Sequence, residues 1–105
     1  MIEVAFYYDF IPGYDEDAYA ELVKRATMMM VEADGFVEFR AHRNILGSPH
    51  VRRTTVWANL EVWARFAQNP EFQEITAEFG GFVTNLDVQL WGQSPLSPEP
   101  IKTAI

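Results

Sequence analysis

Apolar and polar positions divide the chain into seven segments. Residues 2–11, Ile-Glu-Val-Ala-Phe-Tyr-Tyr-Asp-Phe-Ile, are rich in β-formers and stop at Pro12-Gly13, which predicts a strand and a turn. Asp15 can cap the next segment, and Glu16 and Asp17 suit the positive end of a helix. Tyr19, Leu22, Val23, Ala26, Met29 and Met30 then recur at helical spacing until Asp34-Gly35, so a helix is predicted here. Residues 36–46 and 50–58 read as two strands around Gly47-Ser48-Pro49. Leu60–Ala67 reads as a short helix capped by Asn59. Asn69-Pro70-Glu71 opens another: a cap, a proline at the first helical position and an early acid. Its stripe is Phe72, Ile75 and Phe79, and Gly80-Gly81 ends it. Residues 82–92 form a last strand.

Strand-helix-strand, strand-helix-strand is the ferredoxin-like βαββαβ plan, an α+β fold with a four-stranded antiparallel sheet and helices on one face. One domain over residues 1–92 is predicted, with a Pro-rich tail over 93–105. Such a sheet should alternate apolar with polar residues, and the first strand does not. Ile2, Val4, Phe6, Tyr8 and Phe10 share one face, while Ala5, Tyr7 and Ile11 share the other with Glu3 and Asp9. On the last strand Phe82, Leu86, Val88 and Leu90 fall on one side, with Val83 and Trp91 opposite. Two largely apolar faces call for two covers, so the pattern predicts a homodimer packed sheet to sheet, closing an α/β barrel.

Composition narrows the chemistry. The 105 residues contain no cysteine, which excludes thiolate metal sites, Cys nucleophiles and disulfide scaffolds. No apolar run approaches ~18 residues, and the first residues lack the basic start of a signal peptide. The expectation is a soluble, cytoplasmic domain without membrane contact. A net charge of −7 argues against nucleic acid, since phosphate contacts need a basic footprint. Nucleophile elbow, phosphate loop and dinucleotide fingerprint are missing, which disfavours hydrolase, kinase and nicotinamide or flavin classes.

Against this acidic background, residues 39–60 hold no Asp or Glu but contain Arg40, His42, Arg43, His50, Arg52 and Arg53. Arg40, His42 and Asn44 share one side of their strand, and Arg53, Thr55 and Trp57 one side of theirs. If these sides face a cavity, they make a cationic, aromatic-lined pocket for a phenolate or carboxylate. The alternative is that these arginines pair across a dimer with acids such as Glu16, Asp17 or Glu21. His42 and His50 without a nearby carboxylate make a poor metal site, so no metal is expected. His42 is the candidate acid/base, and His50 reads as exposed beside the turn. Asp9 and Glu38 read as solvated rim charges, and Met28-Met29-Met30 as packing residues.

Thr55-Val56-Trp57, a short aromatic helix with Trp63 and Phe66, and Asn69-Pro70-Glu71-Phe72 resemble the antibiotic biosynthesis monooxygenase-like group of dimeric α/β-barrel proteins, over about residues 1–92. The haem-degrading members are similar at Thr55-Val56-Trp57 and Phe72. This chain carries Thr76 where they place the haem-ligating His, and Tyr7 where they place an Asn, so the resemblance does not extend to haem degradation. The quinone-forming, cofactor-independent members are similar at Trp57, and at Trp63 where they carry Tyr. Arg53 stands where they hold substrate with an Asn. Their substrate is an acidic, electron-rich phenol whose anion passes an electron to O₂. The resemblance therefore implies a cofactor-independent monooxygenase of aromatic secondary metabolism with a small aromatic molecule as its partner. Trp57, Trp63 and Tyr7 would line the pocket, Arg53 and Arg40 would hold the anion, and His42 would move the proton. A redox-neutral cyclase or isomerase, or a non-catalytic ligand-binding or accessory module, are the competing readings.

Overall fold

A computed structural model describes residues 1–104; Ile105, the last residue of the expected tail, lies outside them. The elements run β1 (Ile2–Phe10), α1 (Glu16–Glu32), β2 (Phe36–Arg43), β3 (Val51–Trp57), α2 (Leu60–Ala67), α3 (Pro70–Phe79) and β4 (Val83–Trp91). They form one antiparallel sheet in the order β2-β3-β1-β4, the ferredoxin-like α+β fold. The most apolar strand, β1, takes an inner position.

Three caps set the helix starts. Asp15 accepts from Ala18 N, Asn59 from Val62 N, and Asn69 from the amides of Glu71 and Phe72; each side chain satisfies amides that have no partner within the helix. Strands β2 and β3 are shorter than predicted, because the turn between them begins at Asn44. Its Oδ1 accepts from Leu46 N, and its own N–H donates to His50 O at 2.9 Å.

The core lies between the helices and one face of the sheet. Val4, Met30, Trp57 and Phe66 form one buried cluster, Tyr8, Val51 and Val83 a second, and Leu22, Ala26 and Ile75 a third. Gly35 explains how closely α2 approaches the end of α1. Its φ is +82°, and a Cβ there would stand 2.6 Å from Val62 Cγ2, so both the backbone and the packing require glycine.

The opposite face does not match the expected second apolar surface. It carries Glu3, Tyr7, Arg40, His42, Arg52 and Asp87, with Ala5, Val56 and Trp91 as apolar members in register with them. A bulge on β4 accounts for part of the difference. Tyr7 pairs with Asp87 but Asp9 with Thr84, so one extra residue is absorbed, and Asn85 takes φ +55° to do so. Val83 thereby joins the helix-side core instead of opposing Leu86, Val88 and Leu90. After Trp91 the chain has no regular structure through residue 104. Among the described residues no helix is long and apolar enough to cross a membrane.

Candidate functional site

A cavity of about 70 Å³ lies between the sheet and helices α1 and α3, walled largely by Phe6, Met30, Phe72, Ile75, Phe79 and Leu86. Its lining is almost wholly apolar, with Arg53, Thr55 and Thr76 supplying the polar groups. Thr76 Oγ1 is engaged with Phe72 O at 2.9 Å, and Thr55 Oγ1 accepts from Trp57 Nε1 at 2.9 Å. Among the described residues Arg53 is the only charged one of the lining.

The position of Arg53 follows from its strand. Pairing places it directly across from Phe6 on β1 and Ala41 on β2, on the face the helices cover. Its guanidinium lies 4.7 Å from the centre of the Phe39 ring, a cation–π contact. Nη2 donates to Thr27 Oγ1 at 3.2 Å, and Thr27 in turn donates to Val23 O at 2.7 Å. No carboxylate pairs with it among the described residues. A half-buried cation against an apolar cavity, oriented by a ring and a hydroxyl, keeps donor and charge capacity with which an anion could be held. Phe39 and Thr27 had no place in the sequence reading. Thr27 stands within the helical repeat of α1, four residues after Val23, but a lone threonine there carries no signal of its own.

The other expected site residues separate. Trp57 is wholly buried, in edge or tilted contact with Phe36, Trp63 and Phe66 at 5.0–5.5 Å. Trp63 is half-buried against the same cluster. Neither lines the cavity: both build the floor of the core beside it. Tyr7, Arg40 and His42 lie on the opposite face of the sheet, around a separate hollow of about 220 Å³ with Arg52 and Trp91. The single cationic pocket expected from the hairpin is therefore two surfaces. Neighbouring residues of a strand point to opposite faces, so Arg52 and Arg53 cannot share one.

Tyr8, next to Tyr7, points inward. Its hydroxyl meets that of Tyr19. Burial first, and the Tyr19 hydroxyl second, hold the Tyr8 phenol well above its ordinary range, opposed in part by Arg53. It is a neutral hydrogen-bonding group at any physiological pH.

Asp9 also departs from expectation. It is 7% exposed, and its carboxylate accepts from Ser48 Oγ at 2.7 Å, His50 N at 2.9 Å and Asn85 Nδ2 at 3.0 Å. It ties β1 to the β2–β3 turn and to the β4 bulge. His50 is likewise not simply exposed: its Nδ1 accepts from Phe10 N at 3.0 Å. Among the described residues no cluster of His, Asp or Glu could hold a metal ion.

Fold and cavity together define a ferredoxin-like α+β domain with a pocket on the helix side of its sheet. The chain belongs to the antibiotic biosynthesis monooxygenase family, whose profile matches residues 1–78. Among solved structures it is similar to SnoaB, a cofactor-independent oxygenase from Streptomyces nogalater, with 18% identity over 94% of this chain and 100% of that one, at a TM-score of 0.72. A conserved protein from Methanosarcina mazei Go1 is 11% identical over 86% of this chain and 89% of its own, at a TM-score of 0.76. The hydroxynitrile lyase of Passiflora edulis is 9% identical over 86% and 90%, at a TM-score of 0.73. At these identities the likeness is one of fold, and the fold carries an oxygenase and a lyase alike. No curated protein matches the chain.

Proposed function

We propose that this chain is a small-molecule enzyme of biosynthetic metabolism, a monooxygenase that acts on an acidic aromatic substrate without a cofactor. One observation carries the reading: Arg53, fixed by Phe39 and Thr27 at an apolar cavity, is a cation with no carboxylate partner among the described residues. A phenolate bound there is desolvated by the Phe and Leu walls and held by the guanidinium. An electron-rich anion in that state can pass an electron to O₂, and the protein need supply only binding, desolvation and charge.

The cavity volume bears on how substrate enters. About 70 Å³ is well below the roughly 300–1,000 Å³ typical of ligand pockets. A ring must therefore displace wall residues, and Leu86, 43% exposed on β4, is a wall residue that solvent reaches. Tyr7, Arg40 and His42 have no part in this pocket; any role for them lies on the other face. Trp57 and Trp63 support the pocket floor.

Oxygen uptake with a panel of electron-rich hydroxyarenes tests the proposal. The expected result is uptake with an acidic member and formation of a quinone. Conversion of the same compound at an unchanged rate without O₂ would make the protein a cyclase or isomerase. A closed cavity that turns over none of the panel would leave an accessory binding role. We also infer that the chain acts as a homodimer, which sedimentation at micromolar concentration tests.

A further inference from the structure

Tyr8 and Tyr19 place two hydroxyls in a part of the core that otherwise uses phenylalanine. The Tyr8 ring stands edge-on to Phe79 at 4.9 Å and to Phe10 at 5.9 Å, and Tyr19 packs on Phe79 and Phe82 at 6.2 and 6.1 Å. A phenyl ring would fill the same space. Tyr8, wholly buried, carries in addition a polar group that must find partners. It has two. One is the Tyr19 hydroxyl. The other is Arg53: the pairing of β1 with β3 sets Phe6 across from Arg53 and Tyr8 across from Val51. Tyr8 and Arg53 are therefore diagonal neighbours on the helix-covered face, within reach of long side chains. Against the larger effects of burial and of Tyr19, Arg53 acts on the Tyr8 phenol through its charge and a hydrogen bond.

We propose that Tyr8, with Tyr19 behind it, is a positioning residue that aims the Arg53 guanidinium at the cavity. The proposal rests on the anion-binding reading of that pocket and specifies what keeps its cation in place. Hydrogen-bond direction follows from the chemistry of the three groups. A guanidinium has donors and no acceptor, so toward Arg53 the Tyr8 oxygen accepts. The single Tyr8 proton is then left for the Tyr19 oxygen. Each bond in such a chain polarises the next, which turns the negative end of the Tyr8 hydroxyl to the cation. Helix α1 thereby holds Arg53 at two points. Tyr19, Val23 and Thr27 recur four residues apart and so share one side of the helix. Thr27 Oγ1 accepts directly from Nη2 at 3.2 Å, Val23 lines the cavity, and Tyr19 reaches Arg53 through Tyr8. With the Phe39 ring, the guanidinium is fixed from α1, β1 and β2, and its remaining N–H donors are left for a ligand.

Full-length Y8F and Y19F each remove one oxygen and keep the ring. Benzoate and its neutral isostere benzamide serve as probes. Y8F is expected to weaken benzoate about threefold to tenfold, the range for one hydrogen bond, to leave benzamide unchanged, and to have no effect once R53A is present. Equal loss of both probes, or a loss that persists in R53A, would overturn the proposal and leave Tyr8 a packing residue. A second readout needs no ligand. The side-chain Nε–H signal of Arg53 in nuclear magnetic resonance is identified by its disappearance in R53A. It is expected to exchange with solvent roughly threefold faster or more in Y8F, and to a smaller extent in Y19F. An exchange rate that Y8F leaves unchanged would overturn the positioning role. Faster exchange in Y8F, in a protein whose wild type binds no benzoate, would support that role and remove the anion-binding reading instead.

Discussion

Arg53 and Asp9 are both charged residues removed from bulk water, and their partners give them opposite roles. Arg53 has a ring and a hydroxyl but, among the described residues, no counter-ion, so it has capacity left for a ligand. Replacing it with Ala is expected to weaken an anionic aromatic ligand by about tenfold or more, while a neutral isostere of the same ring loses little. Titration calorimetry on the pair reads the difference, and equal losses would remove the anion-anchor role. Asp9 has its acceptor capacity filled. Hydrogen bonds from Asn85 and then Ser48 hold its carboxyl below the usual aspartate value. A folded-state pKa depressed in this way gives stability that is fully present above the unfolded value, near pH 4. That stability is lost as pH falls through the folded value. Asp9→Asn should therefore lower the thermal midpoint at pH 7 and flatten its decline below about pH 4. A decline with unchanged slope would assign the acid sensitivity to other carboxylates.

Elements were largely legible because each rests on a local physical cause. Asn59, Asn69-Pro70 and Asp15 mark helix starts through amides that need acceptors, and the structure places all three as caps. The site was legible only in part. Charge reversal along residues 39–60 locates the basic hairpin, but period two along a strand does not say which side the helices cover. That side depends on Val4, Tyr8 and Trp57 all packing inward, a tertiary outcome. It leaves Arg53 at the cavity and takes Arg40, His42 and Tyr7 away from it. Asp9 was misread because its partners, Ser48, His50 and Asn85, lie 39, 41 and 76 residues along the chain. At the junction of α1 and β2, Gly35→Ala combines a left-handed backbone with a clash on Val62. The left-handed conformation alone costs roughly 1–2 kcal/mol, and overpacking adds about 1–3 kcal/mol. Adding Val62→Ala should return only the packing share, and denaturant midpoints of the three variants separate the two. Full recovery in the double variant would show that the backbone carries no strain.

At the scale of the whole molecule the helices cover one side of the sheet and leave the other bare. The tail beyond Trp91 does not fill that gap within one copy. Its hydrogen bonds are its own, from Gln93 to Pro98 O and from the amides of Leu96 and Ser97 to Ser94 Oγ, and Leu96 and Ile101 are more than nine-tenths exposed. Ending the chain after residue 92 should shift unfolding free energy by no more than about 0.5 kcal/mol. A larger loss, seen in denaturant titration at high protein concentration and absent on dilution, would show the tail packed on a partner. One residue also decides what each side of the molecule displays. Asn85 behaves like an inserted letter whose omission would leave the later text in frame: without it Val83 and Leu86 would still point inward. Forcing it into step, with a β-branched residue that resists the left-handed region, would instead turn the strand beyond it by half a rotation. Leu86, Val88 and Leu90 would then come out among the charges, and Asp87 and Gln89 would turn to the helix side of the sheet, so that a single backbone angle keeps apolar and charged chemistry on separate pages.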